Sequence, residues 1–359
     1  MPEVSQGLIN GSVRLVASVL LAAYAQTALA AATGPDASKP GRPVLAEPGS
    51  REGETGAPAG QLPTLKVMMQ QASVRLAEAN SSSELTGSGP YPAKLVVDLA
   101  LPNATIYRPA DLGAMGRRKL GLLIWGNGGC TNDGASARAH LAEIASHGYL
   151  VIAPGIPLTG PVVSHDASGF PAPQPPVPMT TTIGDLRKLL DWALAENERP
   201  GSPYFGRIDP DAVAAAGHSC GGMQAILLGD DPRVRTVVVH NSGVNPAIPS
   251  NPPLVMDMER LRGLRRSVLF IVGGESDVLW TEANRSFAAV EGIAAAFVSS
   301  DVGHGGTFAQ PHGGMAARIA LDWLEWQLRG DRKASATFVG ADCGLCKKPD
   351  WEIRKKNIP

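Results

Sequence analysis

Apolar residues in this chain fall into short runs separated by stretches of helical spacing. The runs are Ala93–Leu99, Ala104–Arg108, Lys119–Trp125, Leu150–Ala153, Asp211–Ala216, Val234–His240, Ser267–Val272 and Ala294–Ser299. Short apolar runs bounded by turn residues predict buried strands. Between them, Ala135–Gly148, Thr182–Asn197 and Met315–Arg329 space apolar residues three and four apart, as at Leu186, Leu189, Leu190 and Ala193. That period predicts amphipathic helices, and Val67–Asn80 shares it. Strands alternating with helices predict an α/β fold, with a mostly parallel central sheet covered by helices on both faces.

The pattern changes towards the N-terminus. Leu15–Ala25 is an apolar core preceded by Arg14, and Ala28-Leu29-Ala30 supplies a small-x-small site. This reads as a secretory signal peptide over 1–30, too short for a comfortable membrane span, with Ala23-Tyr24-Ala25 as a second cleavage site. An uncleaved anchor is the alternative, weakened by Gln26 and Thr27. Residues 31–63 are rich in Pro, Gly and Ala without apolar periodicity and read as a disordered linker. A single folded domain is expected over 64–332, then a tail over 333–359 carrying Cys343-Gly-Leu-Cys346. The expected address is secreted or periplasmic, with no stable membrane span in the mature form.

Composition narrows the classes. The 359 residues are 44% hydrophobic and carry a formal net charge of −1, so a sizeable core forms and no polyanionic partner is implied. Basic residues form no extended run beyond the short cluster at Arg262–Arg266 and the C-terminal tail, which gives nucleic-acid binding no support. Aromatic residues are 5% of the chain, too few for a broad polysaccharide platform.

The candidate chemistry begins at Gly217-His218-Ser219-Cys220-Gly221. A strand precedes it and Met223–Leu228 opens a helix behind it. G-x-S-x-G between strand and helix is the setting of a nucleophile elbow, a turn too crowded for a Cβ at its flanking glycines. Ser219 is the candidate nucleophile. A serine hydroxyl needs a base, an orienting acid and an oxyanion site. Downstream, the strand Ser267–Val272 ends in Gly273-Gly-Glu-Ser-Asp277, and Ala294–Ser299 ends in Asp301-Val-Gly-His304.

These three motifs resemble the α/β-hydrolase superfamily over about 90–330, within it the dienelactone-hydrolase-like and polyester-hydrolase-like (cutinase-type) serine esterases. The resemblance implies an α/β-hydrolase fold and the chain order Ser219, Asp277 as acid, His304 as base. Glu275 is the rival acid and His312 the reserve base. The backbone N–H groups of Cys220 and Asn127 would form the oxyanion hole. Trp125 stands where the common pattern has His, which leaves Gly128 as an alternative to Asn127. The stretch 245–264 between two core strands, where the superfamily often inserts a lid, is too short for one, so no large lid domain is expected. The proline-rich stretch 155–179 reads as a functional loop.

In this fold the segments of Cys130 and Cys220 would meet, so these four cysteines read as two disulfides, Cys130–Cys220 and Cys343–Cys346. A zinc site is disfavoured because no second pair stands at zinc-ribbon spacing. The resemblance implies hydrolysis of small-molecule or polymeric carboxylic esters through an acyl-enzyme, with neither metal nor organic cofactor. A serine peptidase or an acyltransferase on the same fold, and a non-catalytic secreted binding module, are the alternatives. Substrate-binding residues and oligomeric state are not legible.

Overall fold

The computed structural model describes residues 85–158, 180–245 and 256–359. The chain divides into two units, Met1–Gly60 and Gln61–Pro359, and all described residues belong to the second. The expected signal peptide, the linker and the helix Val67–Asn80 lie outside the described residues. So do 159–179 of the proline-rich stretch and 246–255 of the short connection.

Nine strands form one sheet: β1 (Ala93–Asp98), β2 (Leu101–Pro109), β3 (Leu120–Gly126), β4 (Tyr149–Pro154), β5 (Ile208–His218), β6 (Thr236–His240), β7 (Ser267–Val272), β8 (Ala295–Ser299) and β9 (Glu352–Lys356). Their spatial order is β1-β2-β4-β3-β5-β6-β7-β8-β9. Strands β4 to β8 pair in parallel, and β1, β2 and β9 run antiparallel at the margins. The α/β architecture with a mostly parallel sheet is therefore as expected.

Both faces are covered, which is why the central strands read as continuous apolar runs. Along β3, Leu122 and Ile124 face one core while Leu123 and Trp125 face the other, the two-residue alternation of a strand. The first core holds α2 (Ile183–Glu198), α3 (Cys220–Leu228), α4 (Met258–Arg262) and α5 (Trp280–Ala289) through Leu186, Met223, Leu261 and Phe287. The second holds α1 (Arg138–Ser146) and α6 (Gly314–Arg329) through Leu141 and Trp323. Helix α2 starts on a capping box: Asp185 N–H donates to Thr182 Oγ1 at 3.2 Å, and Thr182 N–H donates to Asp185 Oδ2 at 3.0 Å. Such a cap contributes about 1 kcal/mol.

The principal departure lies at the C-terminus. A short helix α7 (Arg332–Ser335) is followed by β9, which pairs antiparallel with β8 and extends the sheet. Phe338, Cys343 and Leu345 join the α1/α6 core, so the segment expected as a tail is packed structure. No described helix is long and apolar enough to cross a membrane.

Candidate functional site

The site stands at the C-terminal ends of β5, β6, β7 and β8. Strand β5 stops at His218 and α3 starts at Cys220, so the whole reversal is made by Ser219 at φ 53°, ψ −122°. A non-glycine residue there costs of order 1–3 kcal/mol and persists only when its surroundings over-determine it. They do. Ser219 N–H donates to the His240 carbonyl at 3.0 Å, and the Ser219 carbonyl accepts from Ser242 Oγ at 2.6 Å. A Cβ on Gly217 would lie 2.2 Å from the Gly221 carbonyl oxygen, and one on Gly221 would lie 2.1 Å from the Gly126 carbonyl. Both positions require glycine, as the motif implied.

The structure brings the three predicted side chains together. Ser219 Oγ lies 3.0 Å from His304 Nε2, and His304 Nδ1 lies 2.7 Å from Asp277 Oδ1. With the carboxylate as acceptor, Nδ1 carries the proton and Nε2 is free to accept from the hydroxyl. The Asp277 side chain is fully buried, whereas that of His304 is 25% exposed, so the imidazole edge is reachable from solvent. Burial opposes ionisation of Asp277. Hydrogen bonds from His304, the Leu279 N–H at 3.0 Å and Asn241 Nδ2 at 2.9 Å outweigh it, holding the carboxyl below its usual range. A hydroxyl, an imidazole and a carboxylate in this series can pass the hydroxyl proton to the ring as the oxygen attacks.

The loops carrying acid and base are tied to each other. The N–H groups of Val302 and Gly303 both donate to the Gly273 carbonyl, at 3.0 and 2.8 Å, and Ser276 Oγ donates to Asp301 Oδ1 at 2.6 Å. The rival residues stand elsewhere: Glu275 is exposed, and His312 lines a separate groove with its Nδ1 3.6 Å from Glu143 Oε2.

Behind the serine, Asn127 follows β3 and caps a single 3₁₀ turn, Gly128–Cys130. Its side chain turns inward, donating to the carbonyls of Thr131 at 2.9 Å and Pro154 at 2.8 Å. A disulfide joins Cys130 to Cys220, with Cα atoms 5.3 Å apart, and Cys343 is bonded to Cys346; no cysteine is free. Both expected pairs are present.

Two residues at this site had no signal in the sequence pattern. Asn241, at φ 46°, donates to the acid, and His218 donates from Nε2 to the His304 carbonyl at 2.8 Å. Deeper still, the rings of His140, His240 and Phe308 pack edge to face, His140 and His240 centroids 4.8 Å apart, and Trp125 lies tilted against both histidines. Among the described residues no group of three or more His, Cys, Asp or Glu side chains is arranged to hold a metal ion. No protein-family model and no curated protein matches this chain.

Proposed function

We propose that this protein is a secreted serine hydrolase of the α/β-hydrolase fold that cleaves carboxylic esters through an acyl-enzyme. The observation that carries the reading is the unbroken series from Ser219 Oγ through His304 to buried Asp277, built on a strand-to-helix turn with the serine at positive φ. The strand order, with an antiparallel β2 beside β4 and a crossover to β3, supports the fold assignment. The two disulfides fit an oxidising compartment.

In this reading His304 takes the proton of Ser219 as Oγ attacks the ester carbonyl, and Asp277 holds the ring tautomer and stabilises the imidazolium. The oxyanion is received by the N–H groups of Cys220 and Asn127. Cys220 is the first residue of α3, so its N–H has no acceptor within the helix. The Asn127 amide borders the elbow, since a Cβ on Gly221 would lie 2.6 Å from Asn127 N. His304 then protonates the departing alcohol, and the same ring activates the water that releases the acid.

Hydrolysis of p-nitrophenyl esters from acetate to long acyl chains tests the reading. Wild type is expected to turn over at least one of them, and Ser219→Ala to lose 10⁴-fold or more, roughly the share the serine supplies in such series. A folded wild type inert towards every chain length would overturn the esterase reading.

A further inference from the structure

His218 fills the unconstrained position of the G-x-S-x-G turn, yet the residue is buried, only 3% exposed. It packs 4.8 Å from the His304 ring and 5.3 Å from Phe308, centroid to centroid. Its Nε2 lies 2.8 Å from the main-chain oxygen of His304. On the other side of the same α-carbon, the carbonyl of Gly303 accepts from Asn241 Nδ2 at 3.0 Å. These two carbonyls belong to the peptide units that flank His304. Holding both planes fixes φ and ψ there, and with them the direction of Cβ and the rotamers open to the ring.

The Asn241 amide has two N–H donors, and both are used in this site: one for Gly303 and one for Asp277 Oδ2 at 2.9 Å. One amide thus registers the acid against the backbone of the base. His218 also abuts the loop after β3, since a Cβ on Gly128 would lie 2.5 Å from its Nδ1.

We infer that His218 and Asn241 are positioning residues: from the ends of β5 and β6 they clamp the peptide units on either side of His304, keeping its ring in line between Asp277 and Ser219. The inference rests on the esterase reading. The contacts that clamp His304 are to main-chain oxygens and the remaining one is to the buried acid, so the clamp governs the rate of the chemical step rather than substrate affinity. An error of about 1 Å in such alignment costs roughly 10²-fold.

Steady-state kinetics on a p-nitrophenyl ester, with Ser219→Ala alongside, provide the test. His218→Leu and Asn241→Leu are expected to lower kcat by about 10–100-fold with KM within about threefold, and His218→Gln, which keeps a donor, to recover most of the loss. Leucine variants with wild-type kcat beside an inactive Ser219→Ala would overturn the clamp and leave the esterase standing. A glutamine variant no better than leucine would also overturn it. Activity surviving in Ser219→Ala would bring down the esterase reading and the clamp together. Where a variant fails to fold, the wild type still decides: ¹⁵N-histidine spectra of the folded protein should show His218 as the neutral Nε2–H tautomer. An Nδ1–H tautomer would refute the donor role.

Discussion

Asp277 shows how much rests on one buried carboxylate. It accepts from His304, Asn241 and the Leu279 N–H, and its side chain is wholly out of solvent. Asp277→Asn would preserve shape while presenting an amide that favours the wrong ring tautomer of His304. A fall in kcat of about 10⁴-fold is expected at nearly unchanged KM. A variant within tenfold of wild type in the same ester assay would refute the assigned role. Ser219, Asp277 and His304 were legible because each sits at a short, glycine-marked loop directly after an apolar run. His218 and Asn241 were not, because a hydrogen bond to another loop's carbonyl depends on how four strands end side by side. The paired register of β5, β6, β7 and β8 brings those donors to the loop after β8.

At the scale of elements, the Cys130–Cys220 disulfide joins the turn after β3 to the first residue of α3, closing a loop across 90 positions. It limits how far those two segments separate in the unfolded chain as well as in the site. Replacing both cysteines by serine should cost about 2–4 kcal/mol in urea unfolding and lower kcat more than it raises KM. Equal stability of the double variant and wild type would exclude that contribution. Most strands were readable to within two or three residues, because burial on both faces leaves little but Val, Ile, Leu and Ala. Strand β9 was hidden for the opposite reason. Its sequence, Glu-Ile-Arg-Lys-Lys, is what a sheet edge facing water carries to discourage further pairing. Helix α1 begins at Arg138 rather than Ala135, because Asp133 accepts from the Ala135 N–H at 3.0 Å and holds a turn there first.

The whole molecule carries an acid liability. His140, His218 and His240 are buried, and burial holds His140 and His218 down at about 3 and His240 well below its ordinary value. Neither ring nitrogen of His140 or His240 has a hydrogen-bond partner among the described residues. An unfolded chain protonates these rings near pH 6.5, while the folded one keeps His140 and His218 neutral until about pH 3 and His240 neutral well below its ordinary range. The unfolded state therefore binds more protons across that window. Stability is full above about pH 6.5 and falls on acidification at about 1.4 kcal/mol per ring for each pH unit. The depressed carboxyl of Asp277 adds to the loss at its lower end. Urea midpoints should drop steeply between pH 6.5 and 4, and less steeply in His240→Phe; parallel slopes would refute the contribution of that ring.

Three consecutive residues at the end of β6 serve the site: the His240 carbonyl and the Ser242 hydroxyl hold Ser219, and the Asn241 amide between them holds the acid and the loop of the base. Strand residues alternate faces, so inserting one residue into β6 would turn each of them to its neighbour's task at once. Damage there is shared rather than graded. Along this stretch a change of one side chain removes one set of contacts, whereas a change in length removes all of them.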